Sequence, residues 1–388
     1  MLDKSDILRP SSAHIWVKCA AQPSIVKHLV KDVQPSDEAM EGTCAAWLAE
    51  MVLTGQAETC RDLVGEVCPE NNWPVDDAMA NYIQGYCDMI TSRGGQMETE
   101  RRVHLNSFIN GTPDAYAVVT EEPVGYGKLS YQHGKKITLV VDDLKYGFGI
   151  VSPNSQQVLI YAGALLNEMR LKYRETFVGV IPDEITIGIY QPRAMHYDGI
   201  YRTRTITPQQ LVEEIEHIVM RGTMCYEPDP LATPGHHCKH CPAALVCPAN
   251  TTEMYDITTA INASQARELS PQELANQLSF IEIAEDILKG LKRAAHAEAN
   301  ARMTSGKPVP GWGLRRGVGR RRFKVSGDMV KLFTGIDPSS DTLCTPKELE
   351  RRGADIDVLK TITETPETKA KLVRVTTADV AKLFGETK

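Results

Sequence analysis

"VVDDLKYGFG", residues 140–149, combines an apolar run with two aspartates, a lysine and two glycines. Its first residues continue a run rich in β-branched side chains, which predicts a buried strand, and its glycines predict a turn. Asp143 and Lys145 are two residues apart, so their side chains lie on one face of the strand. Asp142 and Leu144 share the opposite face. We therefore expect the strand to bring Asp143 and Lys145 to a common site, and Asp142 to have a structural role.

The elements around this strand predict a mixed α/β core. Helices and strands that alternate in this way are typical of a small mixed sheet flanked by helices. The predicted order is three helices (about 13–32, 37–53 and 76–93), three strands (about 98–105, 111–119 and 135–147), a helix (about 154–169), a strand (about 183–193) and a helix (about 207–220).

The bulk composition is that of a soluble globular protein. Of the 388 residues, 42% are hydrophobic and 24% are charged. We expect a cytoplasmic protein without a membrane segment, because no signal peptide is evident and no apolar run approaches the roughly 20 residues of a membrane helix. The net charge of −7 gives no general attraction for nucleic acid, so DNA contacts depend on local basic patches. A change in composition predicts two domains, 1–255 and 256–388.

Three further residues fit a site at the end of the "VVDDLK" strand. Asp114 follows "GTP" at the start of the preceding strand, and Gln157 and Tyr161 share one face of the next helix. Carboxylate oxygens are ligands that Mg²⁺ and Mn²⁺ prefer, and a nearby lysine can orient a water molecule. The set fits metal-assisted phosphodiester hydrolysis. For Asp143 and Lys145 taken alone, a surface salt bridge is the alternative.

"GTPD", "DLK" and "QVLIY" occur in an order and spacing that resemble a known superfamily. The sequence resembles the PD-(D/E)XK nucleases, and among them the RecB-like exonucleases of phage and prophage type. This resemblance implies a restriction-endonuclease-like core. It also implies that Asp114 and Asp143 bind the metal and that Lys145 is catalytic. Gln157 and Tyr161 would contact the DNA strand near the active site.

An early helix carries one departure from that family. RecB-like proteins often have G-T-x-x-H-x-x-x-E, in which the histidine is a metal ligand. In "EGTCAAWLAE", Gly42, Thr43 and Glu50 match, but Ala46 occupies the histidine position. The departure is compatible with a single-metal site, with replacement by another ligand such as Glu100, or with weakened activity. A solvated strand carboxylate is the alternative interpretation of Glu100.

A group of cysteines predicts a second metal centre. Cys238, Cys241 and Cys247 form a C-x2-C-x5-C pattern in a loop rich in proline and glycine. Cysteines at this spacing are typical of metal sites, and the fourth ligand is either Cys19 or a nearby histidine. The resemblance implies a [4Fe–4S] cluster, because related nucleases place one cysteine before the core and three after it. A Cys3His site for Zn²⁺ is the alternative.

A basic stretch near the C-terminal end predicts contact with DNA. Phosphates would bind its arginines, and its tryptophan could stack on a base. A solvated basic loop is the alternative. The residues are Trp312, Arg315, Arg316, Arg320, Arg321 and Arg322.

The leading hypothesis is a metal-dependent DNA exonuclease of phage recombination or DNA processing, acting in the cytoplasm of a bacterial host. The resemblance suggests a phage single-strand annealing protein as a partner, and the oligomeric state is left open. One alternative is an endonuclease or exonuclease like those of CRISPR adaptation. Another is a catalytically weak DNA-binding or interaction module that keeps the fold, and Ala46 is the residue that favours it.

Overall fold

The structure is a computed structural model with two compact units, which divide between Lys292 and Arg293. The predicted boundary near residue 255 falls within the helix Pro248–Ala263 and stays a prediction. The described residues are 2–3, 5–29, 36–121, 135–176, 181–194, 196–263, 269–318, 322–323, 325, 327–340, 342–343, 345–365 and 367–374.

The described chain alternates helices and strands, as the sequence predicts. The helices are Ala13–Trp16 (α1), Gln22–Leu29 (α2), Asp37–Leu53 (α3), Asp77–Ser92 (α4), Gln156–Thr176 (α5), Pro208–Met224 (α6), Pro248–Ala263 (α7), Pro271–Thr304 (α8), Gly327–Thr334 (α9), Pro346–Arg351 (α10) and Ile356–Ile362 (α11). The strands are Gln96–Thr99 (β1), Val103–His104 (β2), Asn110–Gly111 (β3), Ala115–Glu121 (β4), Lys136–Leu144 (β5), Glu184–Tyr190 (β6), Tyr201–Ile206 (β7), Trp312–Val318 (β8), Arg322–Phe323 (β9), Ser339–Ser340 (β10), Thr342–Leu343 (β11), Thr363–Glu364 (β12) and Glu367–Arg374 (β13).

A five-stranded mixed sheet forms the centre of the first unit, in the order β1-β4-β5-β6-β7. The β5–β6 pair is parallel and the other neighbours are antiparallel. Parallel neighbours need a crossover, and α5 supplies it between β5 and β6. The predicted mixed sheet flanked by helices is confirmed at this level.

Both faces of the sheet are covered by apolar side chains. One core contains Leu139 and Val141 of β5 together with residues of α1, α5 and α6. A second core contains Leu144 with residues of α3 and α4. A strand that is covered on both sides can place neighbouring side chains in different environments, and β5 does so with its two aspartates.

Three local predictions differ from the structure. The helix predicted over 13–32 is two helices, α1 and α2, separated by a turn that contains Cys19. The strand predicted over 98–105 ends at Thr99, and Val103–His104 pairs instead with Asn110–Gly111. The sequence analysis missed β7, because alternating threonine and arginine side chains leave it with few apolar residues.

The second unit has a small core and a two-stranded ribbon. Val330, Leu349 and Leu359 are fully buried in this core. The ribbon is the antiparallel pair of β8 with β13. In the part of the chain described here, no helix has the length and apolar character needed to cross a membrane.

Candidate functional site

Asp114 and Asp143 meet at one end of the β4–β5 pair. Asp114 comes directly before β4, and its Oδ2 accepts a hydrogen bond of 2.6 Å from the backbone N–H of Leu144. Asp143 lies on β5 with its side chain only 1% exposed. Burial, followed by the charge of Asp143, raises the pKa of Asp114 to about 8. The half-buried carboxylate of Asp114 and the buried carboxylate of Asp143 form a site at this end that a cation would stabilise.

Lys145 links the carboxylates to α5. Its Nζ lies 2.9 Å from Oδ2 of Asp143 and donates a hydrogen bond of 3.0 Å to Oε1 of Gln157. Burial alone would lower the pKa of Lys145, but the charges of Asp143 and Asp114 raise it. Lys145 is therefore a cation held beside two acidic side chains. Asp143 and Lys145 lie on the same side of the strand, as the sequence predicts.

Tyr161 lies one helical turn after Gln157 on α5 and extends the row of side chains formed by Asp114, Asp143, Lys145 and Gln157. The amide nitrogen of Gln157 donates a hydrogen bond of 3.3 Å to the Tyr161 hydroxyl. The tyrosine ring is buried, so in this structure Tyr161 orients the amide of Gln157. A Cβ added at Gly111 would lie 2.8 Å from Cγ of Pro10 and 2.9 Å from Cε1 of Tyr161. Gly111, the glycine of "NGTPD", therefore leaves room for Pro10 of the N-terminal segment and for the Tyr161 ring to pack closely against the backbone.

Asp142 lies on the other face of β5, as the sequence predicts. Its carboxylate is ion-paired with Arg93, the residue directly after α4, and accepts a hydrogen bond of 2.8 Å from the Tyr201 hydroxyl. Arg93 also donates to Tyr201 at 2.7 Å. Burial raises the pKa of Asp142 although Arg93 opposes the shift. This closed network separates Asp142 from the pair Asp114 and Asp143.

Glu100 lies near the carboxylate pair. It follows β1 with a φ of 50°, in the left-handed region, and its charge contributes to the raised pKa of Asp114. Burial, followed by the charges of Glu50 and Glu70, raises the pKa of Glu100 to about 7. Glu50 lies on α3 and is the glutamate of the G-T-x-x-H-x-x-x-E pattern. This motif could have identified Glu50 as a site residue, but the sequence analysis did not include it among the candidates. Glu70 had no such signal.

Tyr86 is another residue that the sequence analysis missed. It lies on α4 and is fully buried, and its hydroxyl has no hydrogen-bond partner among the described residues. Burial, followed by the charge of Asp114, raises its pKa well above the usual range. A protonated phenol beside buried carboxylates can donate a hydrogen bond to a bound group.

The four predicted cluster cysteines line one small cavity. Cys19 enters it from the turn between α1 and α2, and Cys238, Cys241 and Cys247 come from the loop after α6. His237 lines the same cavity, so both predicted fourth ligands are close by. No disulfide joins any of the described cysteines. Within the described residues, no three His, Cys, Asp or Glu side chains are gathered closely enough to hold a metal ion.

The basic stretch lies partly on the ribbon of the second unit. Trp312 is 38% exposed and makes an edge-on contact with His296, with ring centroids 5.6 Å apart. Arg315 and Arg316 belong to β8, where they pair with Lys371 and Ala370 of β13. Arg322 begins β9, and Arg320 and Arg321 lie outside the described residues.

Comparison with known protein families gives one match that covers nearly the whole chain. Residues 6–378 match the profile of the family described as "Protein of unknown function (DUF2800)". The matched region includes the carboxylate pair, the cysteine loop and the basic ribbon. Since the match extends over far more than half of its length, the chain belongs to the DUF2800 family.

Proposed function

We propose that this protein is a metal-dependent deoxyribonuclease that hydrolyses phosphodiester bonds, with linear DNA ends as its substrate. The observation that carries the proposal is the row of Asp114, Asp143, Lys145 and Gln157 at one sheet end. These groups supply carboxylate oxygen ligands, a fixed cation and an oriented amide within one small region. Phosphodiester hydrolysis needs such groups, because negative charge accumulates on the phosphate as the bond breaks.

The carboxylate pair fits a divalent cation. Asp114 and Asp143 are hard oxygen donors, and Mg²⁺ and Mn²⁺ are usually bound by one or two such carboxylates together with water. Asp143 Oδ2 receives no hydrogen bond from the described residues, although Lys145 lies 2.9 Å away in an ion pair. Asp114 and Asp143 would hold the cation, with Glu100 as a third candidate. When bound, the cation would neutralise charge on the scissile phosphate and make water a better nucleophile.

The residues of this chain would orient the substrate around that cation. Lys145 would place its ammonium group beside a phosphate oxygen, because Asp143 and Gln157 hold its Nζ in place. Gln157 would contact the DNA strand through its amide, which the Tyr161 hydroxyl keeps in orientation. Burial excludes bulk water from Asp143 and strengthens each of these electrostatic interactions.

The resemblance to RecB-like nucleases supports the same function. "GTPD", "DLK" and "QVLIY" are the segments that supply Asp114, Asp143, Lys145, Gln157 and Tyr161. A five-stranded mixed sheet flanked by helices is compatible with the PD-(D/E)XK core that this resemblance implies. On that basis we propose phage recombination or DNA processing as the setting, with an annealing protein as partner.

A [4Fe–4S] cluster is proposed for the cysteine cavity. Cys19, Cys238, Cys241 and Cys247 line it together, and their thiols are buried or half-buried. Burial is the main cause that raises the pKa of Cys241 to about 12, and the charge of Cys238 adds to it. Thiols in this arrangement gain stability when a metal binds them as thiolates. The cluster would join the α1–α2 turn to the loop after α6, and Zn²⁺ with His237 is the alternative.

The decisive experiment compares linear and closed circular DNA in the presence of Mg²⁺ or Mn²⁺. An exonuclease degrades only the linear form, whereas an endonuclease also nicks the circle. Lys145→Ala should abolish cleavage while the protein stays folded. Lys136→Ala is the matched control, since Lys136 lies at the other end of β5 and pairs with Glu184 at 2.7 Å. Cleavage by the Lys145→Ala variant at the wild-type rate would refute the assignment.

A second candidate function is a DNA-binding module with weak catalysis. Ala46 on α3 favours it, because a metal-ligating histidine is usual at that position in RecB-like proteins. DNA binding without degradation of either DNA form would support this candidate and reject the nuclease.

A further inference from the structure

The loop that follows Lys145 holds an exposed aromatic ring on a fixed backbone. Phe148 is 66% exposed and lies three residues after Lys145, and Ile150 beside it is 59% exposed. Contiguous exposed apolar side chains rimmed by polar groups can mark a binding site. Phe148 and Ile150 are two such side chains, in the loop that directly follows Lys145.

A buried glutamine fixes the loop. Gln191 is fully buried after β6, and its amide nitrogen donates hydrogen bonds to the carbonyl oxygens of Gly147 at 2.8 Å and Gly149 at 2.7 Å. Its amide oxygen accepts from the backbone N–H of Val151 at 3.1 Å. Arg202 donates to the same oxygen at 2.6 Å and to the Val151 carbonyl at 2.9 Å. The backbone on both sides of Phe148 is therefore tied to the sheet.

An arginine supports the ring from one side. The guanidinium carbon of Arg193 lies 4.0 Å from the ring centroid of Phe148 and 4.4 Å from that of Tyr146. An ion pair of 2.7 Å with Glu41 on α3 holds the arginine in place. The guanidinium covers one face of Phe148, and the exposure of the ring leaves the opposite face open.

The two glycines beside Phe148 have no evident structural requirement. A Cβ added at Gly147 or Gly149 would meet nothing within 4 Å, and neither residue has a positive φ. A glycine that the fold does not need is expected where a ligand approaches the backbone closely. The space beside both glycines is open, so a flat group can approach the face of Phe148 that Arg193 does not cover.

From these observations we infer that Phe148 is a stacking platform for an unpaired nucleobase of a DNA strand whose phosphates reach Lys145. The chemistry suits a base because every base has a π-face, and an aromatic ring backed by arginine binds such a face without regard to sequence. The inference rests on the proposed DNA substrate but not on cleavage. It assigns to the site a preference for single-stranded or frayed DNA ends.

The test measures binding without divalent cations, so that it does not depend on cleavage. The probes are a fluorescein-labelled 12-mer of thymidine and a 12-mer of abasic residues, compared by fluorescence anisotropy with chelator present. The wild type should bind the thymidine strand more tightly. Loss of one stacked base weakens binding by roughly 5- to 100-fold, so Phe148→Ala should bind the thymidine strand that much less tightly and no better than the abasic strand.

Three variants separate stacking from other effects. Phe148→Trp should keep the preference for bases, whereas Phe148→Leu should lose it, although leucine retains apolar area. Tyr255→Ala is the control for a general loss of exposed aromatic surface, since Tyr255 on α7 is 72% exposed. Equal affinity of the wild type and Phe148→Ala for the thymidine strand, or equal affinity of the wild type for both strands, would overturn the inference. A protein that shows the base preference but cleaves no DNA would refute only the proposed nuclease.

Discussion

Replacing Asp114 with asparagine should stabilise the metal-free protein at alkaline pH. Burial and the neighbouring charge of Asp143 raise the pKa of Asp114 from 3.8 to about 8. The folded protein therefore holds this proton more tightly than the unfolded chain. Consequently, the wild-type carboxyl lowers the free energy of unfolding progressively as the pH rises from about 4 to about 8. Asparagine removes this cost and keeps an oxygen that can accept the hydrogen bond from Leu144.

The size of the effect follows from the shift. Each unit of pKa corresponds to about 1.4 kcal/mol, so the shift from 3.8 to about 8 sets an upper limit of about 6 kcal/mol. Relaxation and water entry reduce such penalties, and we expect a gain of about 2–4 kcal/mol at pH near 8.5. At pH near 5, where Asp114 is protonated, the two proteins should differ by less than about 1 kcal/mol.

Urea unfolding at both pH values, with chelator present, measures this difference. Asp183→Asn is the matched control, because Asp183 also accepts a hydrogen bond from a β5 amide, that of Ile137 at 2.8 Å. The stability of Asp114→Asn is compared with that of this control at each pH, which accounts for the loss of a carboxylate that accepts a hydrogen bond from a strand amide. If Asp114→Asn is no more stable than the wild type at the higher pH, burial and the charge of Asp143 do not raise the pKa of Asp114 as the structure implies. In a separate measurement without chelator, added Mg²⁺ should stabilise the wild type more than Asp114→Asn, because only the wild type keeps both carboxylates.

Three further predictions concern other parts of the first unit. Arg93→Ala should lower the free energy of unfolding by about 3–5 kcal/mol in chemical denaturation, because it leaves the buried carboxylate of Asp142 without its cation; a loss below about 1 kcal/mol would show that the pair is not needed. Gly290→Ala should lower the melting temperature, because the added Cβ would lie 2.3 Å from the carbonyl oxygen of Cys238. Gly42→Ala should raise the melting temperature slightly, because Gly42 occupies an open position within α3. The opposite order of the two melting temperatures would contradict the packing around Gly290. Protein purified without oxygen should show broad visible absorbance that Cys241→Ser removes, and colourless protein with bound zinc would reject the iron–sulfur proposal.

Much of the fold was predictable because local rules and tertiary packing agree along most of the chain. The helix predicted over 37–53 is α3, with a serine cap at Ser36 whose side chain accepts from the N–H of Ala39. The helix predicted to begin at Thr207 is α6, which has a capping box between Thr207 and Gln210. The sequence over about 270–305 predicts one long helix or a pair of helices, and the structure has the single helix α8. Such signals lie within a few residues of the element that they specify, so they can be found in the sequence.

The parts that were not predictable depend on long-range contacts. β7 carries mainly polar side chains and is a strand because β6 offers it an edge to pair with. The position of Glu100 beside Asp114 depends on the left-handed backbone after β1, which no sequence pattern announced. Gln191 has no motif of its own, and its role in fixing the loop around Phe148 is visible only in three-dimensional contacts.

Which residues of β5 share a face could be read from the sequence, because side chains alternate along any strand. The alternation separated Asp143 and Lys145 from Asp142 before any contact was known. The groups that each face meets could be found only in the folded protein. Arg93 and Tyr201 close around Asp142, while Asp114 and Gln157 converge on Asp143 and Lys145. The physical reason is that alternation is a property of the local backbone, whereas the charge and burial around a carboxylate depend on elements that are distant in the chain.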